Sequence, residues 1–260
     1  MRIGCCLPFK DEINIFKAKI LGYDYIETAL NSFDSAAEEE IAAFVYTLNE
    51  AGISCPVMNC MFTGQARLTG NDADHIYAKE YLYRMFEAIE PIKIKKIVFG
   101  SGGARRVPDD FPKEKAFEQL IKFCSDCIAP VMEKYNAVCC VEELNSLECN
   151  ILNTAEEVMD LIHNVNKPQI KLLVDYYHMC MENESVERLL KYKTYISHVH
   201  IASAKNKRDY PKSGDGEDYK AFFDILERSD YESKLITIEG RAGLGFIDSS
   251  VEALKCLKNL

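Results

Sequence analysis

A small set of residues in the second half of the chain has the types and spacing for shared chemistry. Glu142 stands in VEELN, Asp175 and His178 in VDYYH, His198 and His200 in HVH, and Glu239 in ITIEGR. Each closes or follows an apolar, β-branched run, where an ionisable group is costly to bury unless something compensates it. Two glutamates, an aspartate and a histidine make a mixed oxygen and nitrogen donor set. That set suits a hard or borderline divalent ion such as Mn²⁺, Mg²⁺ or Co²⁺, whereas a structural zinc site favours thiolates. Carboxylates that bind an ion can also be placed to move protons. Taken singly, each residue also reads as a solvated rim carboxylate or a hydrogen-bonded histidine. Four successive apolar runs ending in ligand types are a joint signal. His198 and His200 alternate on a strand and share a face, so only one of them need bind an ion.

The elements that must carry these groups recur along the whole chain. Apolar runs occupy 2–8, 24–30, 53–61, 95–101, 137–144, 170–178, 196–202 and 234–241. Helical patterns lie between most of them, at 35–51, 74–92, 112–135, 154–164 and 219–229. Thr154, with Glu156 and Glu157 behind it, is suited to cap the fourth of these. Strand alternating with helix implies parallel strands joined by right-handed crossovers. Eight such units predict a single-domain α/β protein, a (β/α)8 TIM barrel over residues 1–260. A flat doubly wound sheet would more often open on a glycine-rich turn, and CCLPFKDE lacks the glycines. In such a barrel the C-terminal strand ends carry the chemistry, which is where the ionisable residues fall.

Bulk properties bound the partners. The 260 residues carry a formal charge of −10, which argues against a nucleic-acid backbone as partner. No apolar run is long enough to cross a membrane. The N-terminal MRIGCCLPFKDE reads as a short strand, not a signal peptide. Eleven cysteines, with Cys5/Cys6 and Cys139/Cys140 adjacent in apolar runs, suit buried thiols in a reducing, cytoplasmic compartment. Cys124 and Cys127 have metal or redox spacing but fall in a helical stretch with no second pair.

VEELNSLECNILNT, VDYYHM, HVHIA, KRDYPKSGDGEDY and ITIEGR resemble the xylose isomerase-like TIM barrels, in the sugar phosphate isomerase/epimerase branch that includes the ketose 3-epimerases. The resemblance covers nearly the whole chain. It implies that Glu142, Asp175, His200 and Glu239 bind one divalent ion, Mn²⁺ first, with Mg²⁺, Co²⁺ or Zn²⁺ as alternatives. It also implies that Glu142 and Glu239 face opposite sides of the substrate carbon, one removing the proton next to the carbonyl and the other returning it through a cis-enediolate. Glu148 would bond a terminal hydroxyl, His178 a substrate oxygen beside the metal, and Arg208, three residues before Pro211, a further substrate oxygen. The substrate would be a small sugar or sugar phosphate, and the assembly a homodimer or homotetramer.

The chain departs from the family in three places. The segment from His200 to Arg208 is longer by two residues, so Lys205 and Lys207 compete with Arg208 for its role. Ser146 stands where relatives often have arginine, and the chain has no tryptophan to pack against the sugar. An inosose-type dehydratase would use the same ion site, so it stands as the alternative. An endonuclease of this barrel would need more histidines and less negative charge, and a non-catalytic binding barrel would not need the quartet. A two-metal isomerase would need a further acidic pair, for which Asp215 and Asp218 are the candidates. SGGARR offers glycines and two arginines, as a phosphate cradle or as a tight turn with solvated cations. Asn59, Phe62 and Glu27 are further residues that could face the mouth.

Overall fold

The computed structural model describes residues 1–260. Eight parallel strands pair in chain order and close on themselves: β1 (Arg2–Cys6), β2 (Tyr25–Ala29), β3 (Ser54–Asn59), β4 (Lys96–Phe99), β5 (Val138–Glu142), β6 (Ile170–Asp175), β7 (Ile196–Ile201) and β8 (Leu235–Ile238). Closure is made by β1 against β8, with Arg2 opposite Leu235 and Cys5 opposite Ile238. The barrel predicted from the alternating pattern is therefore present. Its main core of 77 buried residues lies largely between the strands and the surrounding helices.

Inside the barrel, a side-chain period of two stacks the interior in layers. Tyr25, Val57, Val98, Cys140, Leu173 and Leu235 form a small separate apolar cluster. Two positions further along the same strands stand Glu27, Asn59, Gly100, Glu142, Asp175 and Thr237. The alternation that buries the apolar layer thus delivers polar groups to the layer above it.

The helices are α1 (Glu12–Leu21), α2 (Glu38–Ala51), α3 (His75–Ala88), α4 (Gly102–Arg105), α5 (Lys113–Phe123), α6 (Ala129–Lys134), α7 (Ala155–Val165), α8 (Tyr176–Met181), α9 (Tyr219–Arg228) and α10 (Phe246–Lys258). Thr154 caps α7 as the sequence pattern predicts, its side chain accepting from Glu157 N. The strands are shorter than the apolar runs. One such shortening changes a site residue: β6 ends at Asp175, so that Tyr176–His178 is helical instead of extended. The Asp175 side chain causes the turn by accepting from Tyr177 N at 2.7 Å. The 112–135 helix is interrupted by a wide turn at Cys124–Ile128, in which Ala129 N reaches back to Cys124 O. Pro130 lacks an N–H, and the wider turn accommodates that gap. Cys124 and Cys127 are buried and unpaired within it.

Candidate metal centre and active site

The last four strands bring Glu142, Asp175, His200 and Glu239 together at the C-terminal mouth. One ligand atom from each lies within 4.8 Å of the other three. His200 Nδ1 faces Glu142 Oε1 at 3.1 Å and Glu239 Oε2 at 3.4 Å. Glu142, Asp175 and His200 are buried, while Glu239, one residue past β8, is partly open to the mouth. Gly100 makes room for this cluster, because a Cβ there would overlap Glu142 Oε2.

A second ring of groups surrounds the four. Arg208 reaches from the loop after β7 and pairs with Glu148 at 3.2 Å, with Asp175 at 3.4 Å and with Glu239. Its guanidinium also lies 4.8 Å from the centre of the Tyr177 ring. Lys205 instead turns away to the Gly216 carbonyl, so Arg208 is the cation that reaches the cluster. His178, on α8, accepts the Asn145 N–H at Nδ1 (3.1 Å). Its Nε2 has no hydrogen-bond partner and stands 3.6 Å from Asp175 Oδ2. Asn145 Nδ2 donates to Glu148 Oε1 at 3.1 Å, tying these two residues together. Across the mouth, Asn59 Nδ2 donates to Glu239 Oε1 at 3.0 Å.

Charge is unevenly distributed within the cluster. Burial and the neighbouring Glu239 charge push Glu142 above the usual carboxylate range. Burial also raises Asp175, to about 6, although Arg208 opposes it. Burial works against ionisation of Glu239 as well, but His200 and Arg208 outweigh it and hold Glu239 down at about 2. Burial would discharge His200, yet Glu27 and Glu239 raise it well above the ordinary imidazole value. Carboxylates from Glu27, Glu142 and Glu239 thus surround the buried His200 imidazole. The donor set at the mouth fits a divalent ion: hard carboxylate oxygens, one imidazole nitrogen and a partly open side at Glu239.

A cleft of about 300 Å³ opens over the cluster. Asn31, Asn59, Cys60, Thr63 and Ser101 line one side, and Glu142, Leu144, Glu148, Arg208 and Glu239 the other. The two arginines of SGGARR do not enter it as a phosphate cradle. Arg105 is buried and donates to the Phe99 and Glu142 carbonyls at 3.0 and 2.8 Å, and Arg106 donates to Glu148 O. Asp218 caps α9, and Asp215 accepts from Lys212 N, Glu217 N and Tyr219 Oη, so this pair supports its own loop. Sequence reasoning misses Asn145, Arg105 and Glu143. Glu143 is wholly buried, and its Oε1 accepts from Asp175 N at 2.8 Å. Its place beside Glu142 on a strand puts it on the outward face, where nothing in sequence distinguishes it from a solvated carboxylate.

Comparison with known proteins gives a consistent picture of relatives. The sequence pattern of the family described as xylose isomerase-like TIM barrel matches residues 15–260. A D-psicose 3-epimerase from Ruminiclostridium cellulolyticum is 30% identical over 81 residues, which is 31% of this chain and 28% of that protein. A D-psicose 3-epimerase from Agrobacterium fabrum is 25% identical over 201 residues, 74% of this chain and 68% of that one. The chain spans less than half the length of the first curated relatives it matches. In fold it is similar to the crystal structure of D-psicose 3-epimerase with D-tagatose from Clostridium cellulolyticum H10. That match has a TM-score of 0.86 at 18% identity and covers 100% of this chain and 98% of the other.

Proposed function

This chain belongs to the xylose isomerase-like TIM barrel family, and from that premise we propose that it is a divalent-metal-dependent isomerase or epimerase of a small ketose. The observation that carries the reading is the convergence of Glu142, Asp175, His200 and Glu239, from four consecutive strands, beneath a sugar-sized cleft. These four residues would hold the ion, Mn²⁺ by preference. When bound, the ion supplies Lewis acidity to the sugar oxygens, which acidifies the carbon next to the carbonyl. Glu142 and Glu239 are the two bases, one taking the proton and the other returning it on the opposite face of an enediolate. His178 Nε2, buried beside Asp175 without a protein partner, is the ring nitrogen left for a substrate oxygen. Glu148 and Arg208, already paired with each other, bind hydroxyls further along the chain of the sugar.

The cleft favours an unphosphorylated substrate. Its neutral side offers amides and hydroxyls from Asn31, Asn59, Thr63 and Ser101, and Arg105 and Arg106 both donate to main-chain carbonyls. Eleven unpaired cysteines support a reducing, cytoplasmic setting. Assembly as a homodimer or homotetramer belongs to the same reading, and light scattering measures it.

Proton NMR in D₂O, with Mg²⁺ or Mn²⁺ and a panel of free and phosphorylated ketoses, tests the function. Deuterium is expected at the carbon next to the carbonyl of a free ketose, together with a new epimer or aldose, and EDTA should abolish both. Loss of water from an inosose-like compound would make the protein a dehydratase. A chain that binds the ion and exchanges no proton with any sugar would refute the reading.

A further inference from the structure

Behind His200 lies a group of buried polar side chains that the proposed chemistry does not use. Glu27, in the middle of β2, is wholly buried in the barrel interior. Its Oε1 is 3.0 Å from His200 Nε2, and its Oε2 is 2.8 Å from His198 Nε2. Thr237 donates its hydroxyl to Glu27 Oε2 at 2.6 Å and lies 2.9 Å from Tyr25 Oη. A carboxylate only accepts, so the N–H and O–H groups that meet it must be donors. Glu27 therefore takes the hydrogen on His200 Nε2, and the other ring nitrogen, Nδ1, is the one turned to Glu142 and Glu239.

The geometry points to Glu27 as a positioning residue that holds His200 by Nε2 and aims Nδ1 into the mouth, with Thr237 and Tyr25 holding Glu27 in turn. This inference rests on the reading of His200 as an ion ligand and goes beyond it, because nothing at the mouth itself fixes which nitrogen faces the ion. The carboxylate behind a ligating histidine orients the ring and raises its basicity. Here that carboxylate comes from β2, across the barrel interior from β7. His198 shares it and approaches His200 edge to face, with ring centres 5.0 Å apart, which leaves His200 little freedom to rotate.

The test is Mn²⁺ affinity of the full chain, measured from the depletion of free-ion paramagnetic resonance, in wild type, Glu27→Gln and Thr237→Val. Glu27→Gln should weaken binding about 10–100-fold, the range seen when such a partner is lost, and Thr237→Val by less. Unfolding of the metal-free proteins is the control: a purely structural Glu27 would lower stability and leave the affinity of the folded fraction unchanged. A folded Glu27→Gln protein with wild-type affinity overturns the assignment. So does binding of two Mn²⁺ per chain with the second lost in His198→Phe, since Glu27 would then be a ligand itself. If Glu27→Gln does not fold, the imidazole ¹⁵N spectrum of wild type decides: His200 must keep its proton at Nε2, and a bare Nε2 sinks the idea. A wild type that binds no Mn²⁺ removes the ion site, and the same spectrum still decides whether Glu27 holds the ring.

Discussion

The two halves of the barrel mouth are built from the same backbone and carry opposite chemistry. Strands β5–β8 end in Glu142, Asp175, His200 and Glu239, a dense set of ionisable groups joined by Arg208. Strands β1–β4 end near Cys6, Asn31, Asn59 and Gly100, none of them charged at neutral pH. The neutral half nevertheless acts on the charged one. Asn59 donates to Glu239, Gly100 leaves the space that Glu142 fills, and Glu27 passes under the mouth to hold His200. The lesson is a division of labour: one half supplies charge, and the other sets where that charge points.

The largest effect should come from the charged half. Glu142→Gln and Glu239→Gln each keep volume and remove a carboxylate that the proposed mechanism uses as a base, so on that proposal deuterium exchange into the substrate should fall by about 10³-fold, within the usual range for lost general bases. Thermal unfolding should change little. Exchange within a few-fold of wild type in either variant would show that its carboxylate is not a base.

Next in size is a change to the neutral half that reaches the charged one. Gly100 is not in the left-handed region, so alanine fits its backbone, but the new methyl would meet Glu142 Oε2. Gly100→Ala should therefore displace the carboxylate and cost about 10–100-fold in kcat, since ångström-scale misplacement of a reacting group has effects of this order. Unchanged kcat would mean that Glu142 has freedom the packing does not suggest. A smaller effect is expected for Asn59→Ala, which removes one hydrogen bond to a charged acceptor. Such bonds contribute about 1.5–3 kcal/mol at most, and the open side of Glu239 lets water replace part of it. A loss of about tenfold in kcat/KM is expected, and Asn59→Asp should be worse than alanine, because it sets a like charge beside Glu239.

Much of this architecture is legible in the sequence, for reasons that can be traced to particular residues. The barrel follows from strand and helix alternation, which depends on local periodicity alone. Glu142, Asp175, His200 and Glu239 each end an apolar run, so their strand positions can be read directly. His178 reads as part of β6 and is not, because the apolar character of YYHM does not distinguish strand from helix and the turn depends on the Asp175 side chain. Arg105 reads as a solvated cation in SGGARR, yet it is buried against main-chain carbonyls from β4 and β5. Those carbonyls carry no sequence signature. Glu27 stands out as a residue that could point inward, but its partners lie 171 and 173 positions away, and no local pattern links them.

The halves also meet at the opposite end of the barrel, where the smallest of these effects is expected. Lys96, at the start of β4, crosses the interior and donates to Ser197 O and Oγ at the start of β7, both at 2.7 Å. Burial lowers its pKa from the ordinary 10.5. The folded state then binds fewer protons than the unfolded chain between the lowered value and 10.5, so stability should rise with pH across that window. Below the window both states carry the charge, and its burial is a standing cost. Lys96→Met removes that cost along with the titration, and Tyr231 Oη still donates to Ser197 O at 3.2 Å. In urea unfolding, wild type should therefore gain on Lys96→Met as pH rises from 7 toward 10.5, while Mn²⁺ affinity stays the same in both. A gap that is constant with pH would show that the ammonium keeps its water. A change in Mn²⁺ affinity would show that the two ends of the barrel are coupled, and that the division of labour at the mouth extends through the whole interior.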